Sequence, residues 1–118
     1  MGEPSYSRMR RVNSIIQQVL AEQVELLKDP RLEFVSVTGV ETAPNLRRAT
    51  VYFSTLDPTD IADAQAGLAA AAPRLRRSLG REVRLKYTPE LEFRVDHGIT
   101  SGERIDAALK RIGETDDR

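Results

Sequence analysis

Apolar residues recur along residues 6–28 at the spacing of one helical face. Val12, Ile15, Ile16, Val19, Leu20 and Leu27 stand three, four or seven apart, while Gln17, Gln18, Glu22 and Glu25 fill the other side. This predicts a long amphipathic helix, stopped by Asp29-Pro30 because proline disfavours a helical residue before it. The period then changes from helical to alternating. Val35, Val37 and Val40 predict a strand near 34–42, with Gly39 as a bulge where the alternation breaks. Ala49, Val51 and Phe53 alternate with Thr50, Tyr52 and Ser54 in a second strand near 48–56. The turn chemistry of Thr42-Ala43-Pro44-Asn45 joins the two as an antiparallel hairpin.

Asp57-Pro58-Thr59-Asp60 starts a second helix: a capping carboxylate, proline at the first helical position and a further acid in the first turn. Ile61, Ala64, Leu68 and Ala71 trace its apolar stripe, which Leu75 and Leu79 resume after Pro73. Proline removes one ladder hydrogen bond and clashes with the carbonyl four residues back, so a kink at Ala71, Ala72 and Pro73 is expected to divide this segment into two helices, the second ended by Gly80. Val83, Leu85, Tyr87, Leu91, Phe93 and Val95 then share one face of a third strand over 82–96, with Pro89 marking an edge or a bulge. Asp96-His97-Gly98 turns the chain. Thr100-x-x-Glu103 resembles a capping box, opening a short helix on Ile105, Ala108, Leu109 and Ile112. The expected organisation is a flexible N-terminus over 1–7, one α+β domain over 8–112 and a disordered tail over 113–118. A three-stranded sheet with helices on one face would bury the stripes.

At 118 residues the chain is one domain, large enough for a core without staples. It has no cysteine, which removes disulfides, thiolate metal sites and thiol nucleophiles. No segment approaches the ~20 apolar residues needed to span a bilayer, and the first residues lack the layout of a signal peptide. A cytoplasmic protein is expected, with no membrane contact.

Net charge is zero, from eighteen basic and eighteen acidic side chains, and the signs are segregated. Arg74, Arg76, Arg77, Arg81, Arg84 and Lys86 face only Glu82 within 71–88, while Asp57, Asp60 and Asp63 cluster earlier. At about 100° per residue, Arg74, Arg77 and Arg81 fall within roughly 60° of one another and roughly 150° from Leu75 and Leu79. Leucines would anchor that helix while an arginine stripe faces solvent, and Arg84 and Lys86 would extend it. A solvated helix face explains such a stripe in an ordinary protein; the near absence of interleaved acids favours a phosphate-binding surface. Arg8, Arg10 and Arg11 form a second group at the start of the first helix, where the macrodipole disfavours cations. Nucleic-acid binding and a frayed, solvated terminus explain that group equally well. Arg47 and Arg48 are a third pair, more readily explained as solvated hairpin residues.

Enzyme signatures are missing. His97 is the single histidine, so no two-histidine metal motif exists. Asp96, His97 and Ser101 share one turn and cannot hold a nucleophile rigidly against a base. There is no glycine-rich phosphate loop. No catalytic residue, metal, cofactor or small-molecule substrate is expected.

Three segments in order resemble the ribosome-binding factor A family: Lys28-Asp29-Pro30-Arg31-Leu32, the hairpin Val35-Ser36-Val37-Thr38-Gly39-Val40-Glu41 leading to Ala49-Thr50-Val51-Tyr52, and the run from Leu79-Gly80-Arg81 to Tyr87-Thr88-Pro89-Glu90-Leu91-Glu92-Phe93. The similarity covers residues 8–112. It implies a type II KH-like fold, α-β-β-α-kink-α-β, with Pro73 standing where the family keeps a glycine in its kink. It further implies binding to free small ribosomal subunits and their 16S rRNA late in assembly, support for 5′-end processing of the rRNA precursor and a part in growth in the cold; a monomer is expected. The charge pattern and helical geometry, not the resemblance, make Arg74, Arg77, Arg81, Arg84, Lys86, Arg8, Arg10 and Arg11 the residues expected to meet RNA. A reading from another class is a protein-interaction adaptor that pairs its sheet edge with a partner strand.

Overall fold

A computed structural model of the chain describes residues 5–96. Helix α1 (Ser5–Leu26) leads through a 3₁₀ turn at Pro30–Leu32 to strand β1 (Ser36–Thr42) and strand β2 (Arg48–Ser54). A second 3₁₀ turn, Pro58–Asp60, opens helix α2 (Ile61–Glu82), and strand β3 (Glu90–Val95) follows. β1 and β2 pair antiparallel with Val40 opposite Val51, and β2 and β3 pair parallel with Val51 opposite Phe93. The sheet order is β1-β2-β3, so β1 and β3 are its edges. The predicted bulge is present: the register shifts between Val37 and Gly39, leaving Thr38 as the extra residue.

Both helices pack on one face of the sheet, as their stripes require. Ile16, Leu20 and Val24 of α1 meet Ala64, Leu68, Leu75 and Leu79 of α2 over Val40, Ala49, Val51, Phe53 and Phe93. The alternation in β2 is the reason this face is apolar: Ala49, Val51 and Phe53 are each 0% exposed. Each 3₁₀ turn is capped by an aspartate. Asp57 Oδ1 accepts from the Thr59 N–H and hydroxyl, both at 2.9 Å. Asp29 Oδ1 accepts from Arg31 N at 3.0 Å, and its carboxylate grips the Arg31 guanidinium at 2.8 Å.

Three expectations need correction. The interruption at Ala71, Ala72 and Pro73 does not divide the helix: α2 runs unbroken for 22 residues with Pro73 in its interior. Pro73 and Ala69 are exposed, so the ring lies on the solvent side and water can satisfy the carbonyl it frees. Buried residues on both sides, Leu68 before and Leu75 after, hold the two halves on one sheet. Gly80 is not the C-cap either; the cap is Val83, whose N–H donates to Leu79 O at 2.9 Å. The third strand is shorter than the 82–96 expected, because β2 begins at Arg48, opposite Glu90, and residues 83–89 have no strand beside them. Pro89 lies one residue before β3, buried, where its missing N–H costs no ladder bond.

α1 begins at Ser5, one residue before the start expected from the apolar spacing. The helix expected on Ile105, Ala108, Leu109 and Ile112, the turn after Asp96 and the tail over 113–118 lie outside the described residues.

Candidate nucleic-acid interface

Strand and helix directions decide where the charges meet. Thr42 N donates to Asn13 Oδ1 at 2.9 Å and Gln17 Nε2 donates to Val37 O at 3.5 Å, so α1 runs antiparallel to β1 and begins at the hairpin end of the sheet. β3 starts at that same end, and Arg76 ties the end of α2 to it, donating to Thr88 O at 2.8 Å and Pro89 O at 3.2 Å. The start of α1, the β1–β2 turn, the end of α2 and residues 83–89 therefore share one end of the molecule. Among the described residues this end holds Arg8, Arg10, Arg11, Arg47, Arg48, Arg74, Arg76, Arg77, Arg81, Arg84 and Lys86 against Glu41, Glu82, Glu90 and Glu92. The opposite end holds Glu22, Glu25, Asp29, Glu33, Asp57, Asp60, Asp63 and Asp96 against Lys28, Arg31 and Arg94.

The arginine stripe has the geometry read from helical spacing. Arg74, Arg77 and Arg81 are exposed, while Leu75 and Leu79 are 1% and 0% exposed beneath them. Arg81 also donates to Ser78 Oγ at 3.2 Å, which holds it along the helix. Arg77 and Lys86 both line an open groove of ≈ 880 Å³, which Pro73 lines too, while Arg74, Arg81 and Arg84 lie outside its lining. Arg8, Arg10 and Arg11 are exposed at the start of α1 and form a separate group. Ala71 and Ala72 turn inward against the core, so of the expected kink only Pro73 reaches this surface.

Other groove residues carry weaker signals in the sequence. Arg47 and Arg48, whose pattern fits solvated hairpin residues, line it. Arg47 is placed by a tight turn in which Leu46 N donates to Ala43 O at 2.8 Å, Leu46 takes φ 63°, and Asn45 Oδ1 accepts the Arg47 N–H at 2.9 Å. Tyr87, whose spacing fits a core-facing strand residue, lies in the groove with the Arg47 guanidinium 3.7 Å from its ring centroid. Pro89 and the turn-forming residues beside it are the available signal that Tyr87 leaves the alternation.

The titration shifts lie away from this surface. Asp29 is held below the ordinary carboxylate range by the Arg31 side chain first and the Arg31 N–H second. Asp57 is lowered by the Thr59 N–H and then its hydroxyl. Both are caps. No group of three or more metal-ligating side chains occurs among the described residues. No described helix is long and apolar enough to cross a membrane.

A three-stranded mixed sheet covered on one face by two helices, with a basic groove at the end where α2 meets β3, defines a type II KH-like α+β domain. The model of the family Ribosome-binding factor A matches residues 8–109, and the chain belongs to that family of non-enzymatic assembly factors. It is 38% identical over 110 residues to the ribosome-binding factor A of Geobacter sulfurreducens, covering 91% of this chain and 92% of that protein. The crystal structure of ribosome-binding factor A from Thermus thermophilus superposes with a TM-score of 0.68 at 29% identity, over 74% of this chain and 94% of that one. A homology model of the Thermus protein, fitted into a cryo-EM map of its complex with the 30S subunit, superposes with a TM-score of 0.61 at 28% identity, over 75% and 94%.

Proposed function

We propose that this protein is a cytoplasmic, monomeric assembly factor that binds free small ribosomal subunits through its basic end. There it holds one arrangement of the 16S rRNA by binding it in preference to others, a population shift without chemistry. Arg74, Arg77 and Arg81, flanked by Arg84 and Lys86, meet phosphates and set position, and Arg8, Arg10 and Arg11 add a second contact. Selectivity comes from fit to a folded RNA surface. Support for 5′-end processing of the rRNA precursor, and for growth in the cold, follows from the same binding. The observation that carries the reading is the convergence of basic side chains from α1, the hairpin, α2 and residues 83–89 on one end of a chain with no net charge. The 30S complex of the Thermus relative supports it.

The test is binding of the full chain to purified free small subunits across a salt series. Replacing Arg74, Arg77 and Arg81 together with glutamine should weaken binding while circular dichroism stays unchanged. The log-affinity against log-salt slope should flatten by about two to three units, at roughly 0.7–0.9 per phosphate. An unchanged slope in a folded variant would move the contact to Arg8, Arg10 and Arg11 and return the stripe to a solvated face. Strand addition at the sheet edge is less well supported, because the Thr38 bulge interrupts the β1 edge that a partner would extend.

A further inference from the structure

We propose that Arg47 and Tyr87 form a stacking platform for one unpaired nucleobase of the bound RNA. The inference rests on the RNA-binding reading above and deepens it, giving the α2 arginines the phosphates and this pair a base.

The guanidinium carbon of Arg47 lies over the Tyr87 ring, 3.7 Å from its centroid, at van der Waals contact. Lys86 Nζ is 5.6 Å from the same centroid. If this stack served only to pin residues 83–89, nothing else would need to. The segment has other anchors: Val83 and Leu85 pack against the core, Arg76 donates to Thr88 O and Pro89 O, and just beyond it Glu90 N donates to Arg47 O at 2.9 Å. Nor is Arg47 held by a carboxylate. Glu90 is engaged by Arg76 at 3.8 Å and Glu92 by Arg94 at 2.9 Å and Arg48 at 3.9 Å, and the Arg47 side chain has no acidic partner among the described residues.

Arg47 is exposed and lines the groove, so a ligand in the groove can reach it. Splayed-out RNA bases stack on two kinds of surface, aromatic rings and arginine planes. Here one lies on the other, in a groove of ≈ 880 Å³ with room for a nucleotide. Arg77 and Lys86, on the same groove, stand where the flanking phosphates of that nucleotide would lie. The ligand class is a single-stranded nucleotide inside a structured RNA. Base identity should matter little, because every base offers a π face.

The experiment compares the full-length wild type, Arg47→Lys, Tyr87→Phe and Tyr87→Leu for affinity to purified free small subunits across a salt series. Arg47→Lys keeps the charge and loses the plane, at an exposed position where folding is not at stake. It should weaken binding about 5- to 100-fold at every salt concentration with the log–log slope unchanged, as lost stacking does and lost phosphate contact does not. Tyr87→Phe should bind as the wild type, and Tyr87→Leu should weaken binding like Arg47→Lys. Wild-type affinity in Arg47→Lys would overturn the proposal by showing that a point charge suffices. So would a loss accompanied by a flatter slope, which marks a phosphate contact. Failure of the wild type itself to bind subunits would overturn the RNA reading as a whole, which separates the two failures.

Discussion

Gly67 and Gly80 lie on the same helix, and alanine at each should change stability in opposite directions. At Gly67 a Cβ would stand 3.0 Å from Leu32 Cδ2 and 3.3 Å from both Leu32 Cγ and Arg31 Cβ. None of these atoms can retreat easily. Leu32 is 4% exposed within the core, and Arg31 Cβ belongs to a 3₁₀ turn fixed by the Asp29 cap. Alanine contributes about 1 kcal/mol of helix propensity over glycine, and overpacking costs about 1–3 kcal/mol. The net expectation is a loss of about 1 kcal/mol. At Gly80 the one close atom is Thr88 Oγ1 at 3.1 Å, the end of a rotatable side chain, and the next is at 3.8 Å. Gly80 is also exposed, so the propensity term dominates and a gain of about 0.5–1 kcal/mol is expected. Urea unfolding of the two full-length variants, followed by circular dichroism, measures both. With a slope of about 1 kcal/mol/M, the midpoints should part by about 1–2 M, with the wild type between them. A Gly67→Ala protein as stable as wild type would show that α2 does not sit this tightly on the Pro30–Leu32 turn. A Gly80→Ala protein below wild type would show that Thr88 is locked.

Thr42 is 8% exposed, and its Oγ1 has no hydrogen-bond partner among the described residues, so Thr42→Val should raise stability by about 1 kcal/mol; a lower melting temperature would reveal a partner for the hydroxyl. Pro73→Ala should stabilise by about 1–3 kcal/mol, since the ladder bond it restores in a continuous helix outweighs the freedom it gives back to the unfolded chain; equal or lower stability in urea would mean that the ring improves packing. Asp57 has a folded-state pKa below its unfolded value near 3.9, so its capping contribution is present above that value and fades as pH falls through the lower, folded one. Asp57→Ala should therefore be less stable than wild type at neutral pH and converge with it in acid; a gap that persists below both values would exclude the cap as its cause.

Elements whose pattern is set by burial on one face are legible in the sequence alone. The stripe through Ile16 and Leu20, and the alternation of Ala49, Val51 and Phe53, each allow one period and one orientation. The features that sequence reasoning misplaces are those set by neighbours. Whether Pro73 breaks a helix depends on how firmly Leu68 and Leu75 are seated beneath it, which the local chain does not state. Where β3 begins depends on where β2 begins, because residues 83–89 alternate well enough for a strand yet have none beside them. The candidate interface divides in the same way. Arg74, Arg77 and Arg81 are legible because helical spacing alone puts them opposite two leucines. The contact of Arg47 with Tyr87 joins residues forty positions apart through a parallel strand pairing, and no local pattern carries that.

The charge arrangement of the two helices separates stability from function as its cause. In α2 the acids Asp60 and Asp63 lie at the N-terminus and Arg77 and Arg81 near the C-terminus, as the macrodipole favours. That helix alone could have acquired its charges for stability. α1 runs the other way and has the reverse pattern: Arg8 in its first turn and Glu25 in its last stand against the dipole, with Arg10 and Arg11 following the one and Glu22 preceding the other. Because the helices are antiparallel, these opposite patterns put positive charge at the same end of the fold. Helix energetics explain one and oppose the other; an anionic partner at that end explains both. The zero net charge does not weaken this. Arg77 stands fourteen residues from Asp63 along α2, about 21 Å, roughly two to three Debye lengths at physiological salt. A phosphate held beside Arg77 is therefore screened from Asp60 and Asp63, and it responds to the basic end alone.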